Sequence, residues 1–492
     1  MTQLDQTRKE DFLVRADLTI EERLVPSILC KVYLPQKPSE KPFISFQPTK
    51  AQYDSCVHTF RCGFHAETPD FSGKIDATLD APTVYLKDMR TTHWGPDLVV
   101  AQFNGDPQHL RVARFLSTDA ELRTRCRVTW WLSPNKMLQP RMLIQSSFLG
   151  PISMERVFRH TFRLERHLVI TFDKHYRSES RDDQIVQWSF LVGTTRHVLK
   201  GKEAFELCEE LLPKIDDFLL IVSLGSRTRT ACVGWEAVGS RQITSYYRGE
   251  LEFPTGDTEP SYRDGLVDVN DFREFVTTAY STFRAQPERD PIRGAIHALV
   301  PGKGHALEHT FLSLFAALEM LLLDFRRRNS LELIMNEEDW GALKVSCRKF
   351  IKEQTRATID APRRSWMYAK LDELNRVPLR IVLDALCTQY HIELSDLWPL
   401  FVEGRREIGL ADIRNMIIHG EPFVDRCLDA VMVATEHLKW TVERVLLGLL
   451  NWPAERTEIS RNFLARVAYP MRKLAAAKQT LEGNRGKRLA SQ

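Results

Sequence analysis

Apolar and polar residues alternate through residue 265 and then, after Leu266, give way to apolar steps of three and four. A period of two sends successive side chains to opposite faces of a strand. Steps of three and four lay one stripe along a helix. The alternation predicts strands over residues 27–34, 54–64, 74–86, 98–103, 126–132, 164–172, 186–192, 230–235 and 242–253. Turn-rich pieces such as Pro69-Asp70-Phe71-Ser72-Gly73 separate them. One helical stretch, 202–221, interrupts the series, and Pro213 inside it is expected to kink or split it.

Beyond residue 266 the pattern predicts helices over 267–284, 306–328, Glu337–Thr355, 378–390, 397–402, 409–419 and 424–450. Asn336 stands as a cap for the third, whose apolar stripe is Trp340, Leu343, Cys347 and Phe350. Arg326-Arg327-Arg328 suits the negative end of the second. Five or six such helices make an antiparallel bundle. The expected fold class is therefore α+β. A β-rich domain spans 1–265, a helical connector 266–303, a helical bundle 304–452 and a basic tail 453–492. Residues 456–492 carry nine Lys or Arg against two Glu, which reads as a solvated, partly disordered end in preference to the alternative, an RNA-gripping arm.

Composition changes this picture little. Of 492 residues, 43% are hydrophobic and 27% charged, and the net charge of +3 singles out no partner. Residues 1–11 contain no apolar core of a signal peptide, and the apolar run 311–325 is too short for a bilayer and carries Glu319 and Asp324. A cytoplasmic protein without membrane contact is expected. Nine scattered cysteines suit reduced thiols. Cys56, His58, Cys62 and His65 cluster locally, but no second ligand pair stands at finger-like spacing, so a buried strand is the expectation and no metal or cofactor is assigned.

Candidate chemistry concentrates in Ile413-Arg414-Asn415-Met416-Ile417-Ile418-His419-Gly420. An Arg-x4-His alone arises by chance about once in a chain of this composition. The adjacent Asn, the apolar filler and the Gly stop narrow it. Asn415 and His419 are four residues apart, about 40° around a helix, and share a face. Gly420 and Pro422 then end the helix, leaving His419 at its carboxyl terminus. RNA is cut without metal when its own 2′-hydroxyl attacks the neighbouring phosphate. That reaction needs a base, an acid and positive charge on the phosphate. Histidine transfers protons near neutrality, and arginine offers a permanent planar fork of donors. Asn415 would fix the imidazole or donate to the phosphate. One motif supplies one histidine, so a symmetric homodimer is expected to complete the site. A structural role, with Arg414 and His419 merely capping or bridging a bundle helix, competes with this one.

The Arg-Asn-x-x-x-His of residues 414–419 resembles the signature of the HEPN superfamily. With residues 311–319, 370–376 and 409–420, the carboxyl half (about 300–450) is similar to the ApeA-like HEPN group, and the amino half resembles the β-rich domain preceding it in bacterial abortive-infection proteins. The resemblance implies a metal-independent endoribonuclease, dimeric through its HEPN domain, that halts translation on phage infection. The amino-terminal domain would sense a phage-derived trigger or restrain the nuclease. Arg414 and His419 would be the catalytic pair, with Asn415 beside the Arg. Glu319, an acid inside an apolar helix, would reach the same cleft or pair with a bundle arginine.

Two other classes compete. A HEPN module that binds RNA or a nucleotide without cutting would keep binding after His419→Ala. His305-Ala306-Leu307-Glu308-His309 fits an inverted zinc-peptidase pattern, but a third ligand and a repeated α/β scaffold are missing from the sequence. Gly302-Lys303-Gly304 is too short for a phosphate loop.

Overall fold

Strand pairing in the amino half follows directly from its alternation. In this computed structural model the described residues are 12–20, 23–34, 41–47, 49, 51–52, 71–75, 83–96, 101–115, 125–145, 153–181, 184–199, 203–239, 242–248, 265–301, 306–356, 358–403, 407–420 and 427–489. The strands are β1 (Phe12–Ile20), β2 (Arg23–Tyr33), β3 (Phe43–Gln47), β4 (Phe71–Ile75), β5 (Thr83–Pro96), β6 (Ala101–Phe115) and β7 (Arg125–Leu132). They continue with β8 (Arg141–Gln145), β9 (Ser153–Phe158), β10 (Thr161–Glu165), β11 (Leu168–Arg181), β12 (Gln184–Val198), β13 (Cys232–Val238) and β14 (Gln242–Arg248). The fold is mixed α+β, with the strands in the amino half and most helices in the carboxyl half.

The main sheet is antiparallel and runs β10-β11-β12-β7-β13-β14-β6-β3-β2-β1-β4-β5. Because β5 also pairs with β6, strands β1 to β6 close on themselves into a ring. Strand β6 belongs to both parts: Phe103 to Gly105 pair with β3, and His109 to Phe115 pair with β14. Strands β8 and β9 form a separate hairpin.

Helix α1 (Ala204–Ser226) covers this sheet. It runs unbroken through Pro213. A proline inside a helix costs about 3 kcal/mol. The residues after it explain why the helix survives: Ile215 and every residue from Asp217 to Ser226 are buried. Phe218 stacks on Phe172 with ring centroids 5.9 Å apart, and Phe205 meets Trp235 at 5.7 Å. The stretch 164–172, expected as one strand, is the β10–β11 hairpin. Phe162, Leu164, Leu168, Ile170 and Phe172 are all buried, so the even-numbered parity runs on across the turn and hides it. Residues 74–86 likewise belong to two strands, β4 and β5. The expected strand 54–64, with Cys56, His58, Cys62 and His65, lies outside the described residues.

The helical part begins with α2 (Phe272–Ala285) and α3 (Asp290–Leu299), then α4 (Leu307–Arg328), α5 (Glu337–Thr355), α6 (Ala361–Leu374) and α7 (Leu379–Gln389). It ends with α8 (Leu410–Ile418), α9 (Leu428–Leu449), α10 (Arg461–Val467) and α11 (Tyr469–Leu489). Two compact units result, Met1–Ser281 with Val300–Gly304 and Thr282–Leu299 with His305–Gln492. The division falls inside the segment expected as a connector, because both of its ends belong to the first unit while its middle, Thr282–Leu299, contributes Ile292, Ala295 and Ile296 to the core of the second. Helices α4 and α9 are the central pair of the second unit, and α3, α7 and α8 pack on α4.

Three expectations for this half differ from the structure. Residues 397–402 are not helical but irregular, with bends at Leu397 and Leu400. Pro399 disfavours a helix there, and the Trp398 indole N–H donates to the Ile408 carbonyl at 2.9 Å. The basic tail is not a loose end: α11 packs on α9 and buries Ala477 and Leu481, with Arg472 and Lys473 exposed and Lys478 half-buried over the Trp398 ring, 5.7 Å from its centroid. The stripe of α5 does not enter a core, since α5 buries no side chain at all. No helix among the described residues is long and apolar enough to cross a membrane.

Candidate active site

Helix α8 is held first by its amino end. The N–H groups of Leu410 and Ala411 donate to the carbonyls of Pro399 and Leu400 at 3.1 and 3.0 Å, and that of Gly409 donates to the Asp412 carboxylate at 3.0 Å. Any Cβ at Gly409 would lie 2.8 Å from the Leu400 oxygen, so this close docking requires glycine. Leu410, Ile413 and Met416 then bury one face of α8. That burial fixes the rotation of the helix, leaving Arg414 partly exposed and Asn415, Ile418 and His419 exposed.

The structure brings three of the four predicted site residues together by side chain. Arg414 Nη1 donates to Asn415 Oδ1 at 3.2 Å, and its Nη2 lies 3.8 Å from Glu319 Oε2 on α4. The guanidinium also sits over the Phe315 ring, 5.8 Å from its centroid. Phe315 had no assigned role in the sequence beyond its place in the apolar run. Its spacing of four from Glu319 was the available sign that both face one neighbour.

His419 closes α8. Its backbone N–H donates to the Asn415 carbonyl at 3.0 Å, which stacks it one turn beyond Asn415. The imidazole has no hydrogen-bond or ion-pair partner among the described residues. Gly420 follows with φ +66°, the left-handed stop that glycine takes without strain. Pro422 lies outside the described residues. A fixed, partly exposed cation and a free, exposed imidazole thus occupy the end of one short helix. Such a pair suits contact with a phosphodiester and proton transfer to or from it.

Behind the site, Arg444 of α9 clamps the chain that caps α8. Its Nη1 and Nη2 donate to the two Asp396 oxygens at 2.5 and 2.8 Å, and Nη1 also donates to the Glu393 carbonyl at 2.8 Å. Nε and Nη2 donate to the Ile459 carbonyl at 3.1 and 2.9 Å, so the whole fork is engaged. Burial pushes the Asp396 carboxyl up, and the Arg444 hydrogen bond and charge more than reverse it, leaving it below its ordinary range. The clamp fixes residues 393–396, and the next carbonyls along, those of Pro399 and Leu400, receive the α8 N–H groups.

Other candidates contribute less. His309 is exposed on the first turn of α4, and His305 lies outside the described residues. Among the described residues, no group of three or more His, Cys, Asp or Glu side chains is placed to hold a metal ion. The seven described cysteines are unpaired; burial pushes the Cys126 thiol up to about 11 and that of Cys232 to about 12, where neither is an activated nucleophile. Comparisons of the chain with protein-family models, with curated proteins and with solved structures return no match.

Proposed function

We propose that this protein is a metal-independent endoribonuclease of the HEPN type, with Arg414 and His419 as its catalytic pair. The observation that carries the reading is the arrangement at the end of α8: an unpartnered exposed imidazole one turn beyond Asn415, whose amide oxygen accepts from the Arg414 guanidinium. In the reaction a base removes the 2′-hydroxyl proton and the 2′-oxygen bonds to phosphorus. The bond from phosphorus to the 5′-oxygen breaks, and an acid protonates that leaving oxygen. The products are a 2′,3′-cyclic phosphate and a 5′-hydroxyl. His419 takes one of the two proton-transfer roles, and His419 of a second copy takes the other. Arg414 holds the phosphoryl oxygens, with Glu319 and Phe315 aiming it and Asn415 adding a polar contact.

Pairing of two copies has support in the surface around the motif. The three helices that pack together there each expose large apolar side chains: Leu323 on α4, Ile418 on α8, and Leu428 and Met432 on α9. On this reading the protein acts in phage defence in the cytoplasm, cutting RNA to stop translation when its β-rich domain meets a phage-derived cue.

The test compares cells expressing wild type, Arg414→Ala or His419→Ala, with and without phage, by survival and by sequencing of RNA ends. New ends are expected in wild type, with at least a ~100-fold loss in either variant, since a positioned acid–base group contributes about that much or more. Both variants should fold, because both side chains border solvent. Wild-type cleavage by either variant would sink the assignment, and protection without new ends would move the function to RNA binding.

A further inference from the structure

Helices α5 and α6 form a hairpin that is polarised along its length. At its base, Leu333 and Arg376 pair as a β-bridge, and Asn375 receives the Met335 N–H at 2.8 Å. Asp372 accepts from the Trp340 indole at 3.2 Å and from Lys344 at 2.5 Å. The acids Glu337, Glu338, Asp339, Asp372 and Glu373 all lie at this end. Between residues 344 and 364 the balance reverses, with seven Lys or Arg against Glu353 and Asp360. Asp360 is itself engaged as the cap of α6, accepting from the Arg363 N–H at 2.9 Å.

Three of those seven cations have internal work. Lys344 holds Asp372, Arg348 sits over the Tyr368 ring at 5.7 Å, and Arg364 donates to the Ile359 carbonyl. Lys349, Lys352, Arg356 and Arg363 are exposed and have no partner among the described residues. Lys349, Lys352 and Arg356 follow at steps of three and four, so they fall within about 60° of one helix face over roughly 10 Å. The same hairpin exposes two large aromatics, Trp366 at 69% and Phe350 at 62%. Only Leu371 is buried in the two helices, so core packing explains neither the cations nor the aromatics.

We infer that this hairpin end is a docking surface for single-stranded RNA, its cations on the phosphates and Trp366 and Phe350 against bases. Charge complementarity selects the occupant. Four unpaired cations with almost no acid among them repel one another, and a polyanion relieves that repulsion while releasing its own counterions. Aromatic faces accept any base, which suits a grip that delivers many sequences to one site. The inference rests on the reading of RNA as the substrate, and it separates holding the strand from cutting it.

The experiment measures binding of a fluorescein-labelled oligouridine RNA by anisotropy across a salt series. The full chain carries His419→Ala so that the probe stays intact. Adding Lys349→Glu, Lys352→Glu and Arg356→Glu together should weaken binding at least about tenfold and reduce the salt slope by about 2, as expected for three phosphate contacts on a single strand. Trp366→Ala alone should weaken binding about fivefold or more with the slope unchanged. Unchanged affinity and slope in the triple variant would overturn the inference, as would an altered oligomeric state with intact RNA binding, which would mark a protein contact. Hairpin-dependent binding without His419-dependent cleavage in the otherwise wild-type chain would keep the inference and remove the nuclease. Cleavage and binding indifferent to the hairpin would do the reverse.

Discussion

Two arginine–carboxylate pairs in the same helical unit differ in everything but chemistry. The side chains of Arg444 and Asp396 are 3% and 6% exposed, meet at 2.5 Å, and leave no guanidinium donor idle. Arg414 and Glu319 are 34% and 30% exposed and stand 3.8 Å apart. The first pair is a fastener, because a charge removed from water is tolerable only when its partner and every donor are in place. The second is a rest position: Glu319 steers the guanidinium without saturating it, so donors remain for an incoming anion. Burial and completeness of the hydrogen bonding, not the presence of an ion pair, separate the structural arginine from the one proposed to act on RNA.

The comparison breaks first at Arg444. Arg444→Ala leaves Asp396 buried without its cation and should cost about 3–5 kcal/mol in denaturant unfolding. It should also release residues 393–400 and with them the cap of α8, so cleavage falls with stability. Retained stability would show that the buried pair is not a fastener.

A second effect comes from His437, packed between Trp398 and Trp440 with ring centroids 6.4 and 4.9 Å away. The Trp398 N–H donates to its Nδ1 at 3.2 Å. Burial outweighs a backbone hydrogen bond at Pro470 and the Asp396 charge and, with Lys478 and Arg444 nearby, lowers its pKa from 6.5 to about 4. The unfolded chain therefore binds a proton there that the folded chain refuses. Stability from this group is complete above pH 6.5 and is lost as pH falls toward 4, by about 3 kcal/mol. Melting curves across that window should flatten in His437→Gln, and equal pH dependence in the two proteins would refute the assignment.

The smallest effect belongs to the exposed pair. Glu319→Gln should change stability by less than about 1 kcal/mol, as for other partly exposed ion pairs. Cleavage should fall only a few-fold, through Arg414 aim rather than chemistry. A loss as deep as that of His419→Ala would promote Glu319 to a reacting group.

The change from strands to helices was legible because the alternation of the amino half, interrupted by one helical stretch, gives way after Leu266 to steps of three and four that persist. The β10–β11 turn was not, because it is two residues long and the same even-numbered core positions continue on both sides, so Arg166, the one exposed even position between them, is the sole break in the pattern. Helix α6 escaped notice because Pro362 reads as a breaker, although proline is compatible with the first turn, and Asp360 caps it. The motif helix was readable from local signals: Gly409, the apolar triad and Gly420. Its partner was not, since Glu319 and Arg414 are far apart in sequence and nothing in either segment specifies the pairing. The fate of the α5 stripe also depends on what packs against it, and apolar spacing alone carries no record of a missing neighbour.

Strand β6 has a consequence for how the protein is made. It cannot finish its pairing until β14, about 130 residues downstream, has been synthesised. Half of its ladder therefore waits on the ribosome while the ring strands form around it. The helices, whose contacts are more local, emerge afterwards and assemble quickly. A slow scaffold would thus be followed by a fast helical unit, with Arg414 and His419 emerging long after the strands. On the ribonuclease reading proposed above, that timing would keep a growing chain from interfering with its own synthesis until its scaffold is in place.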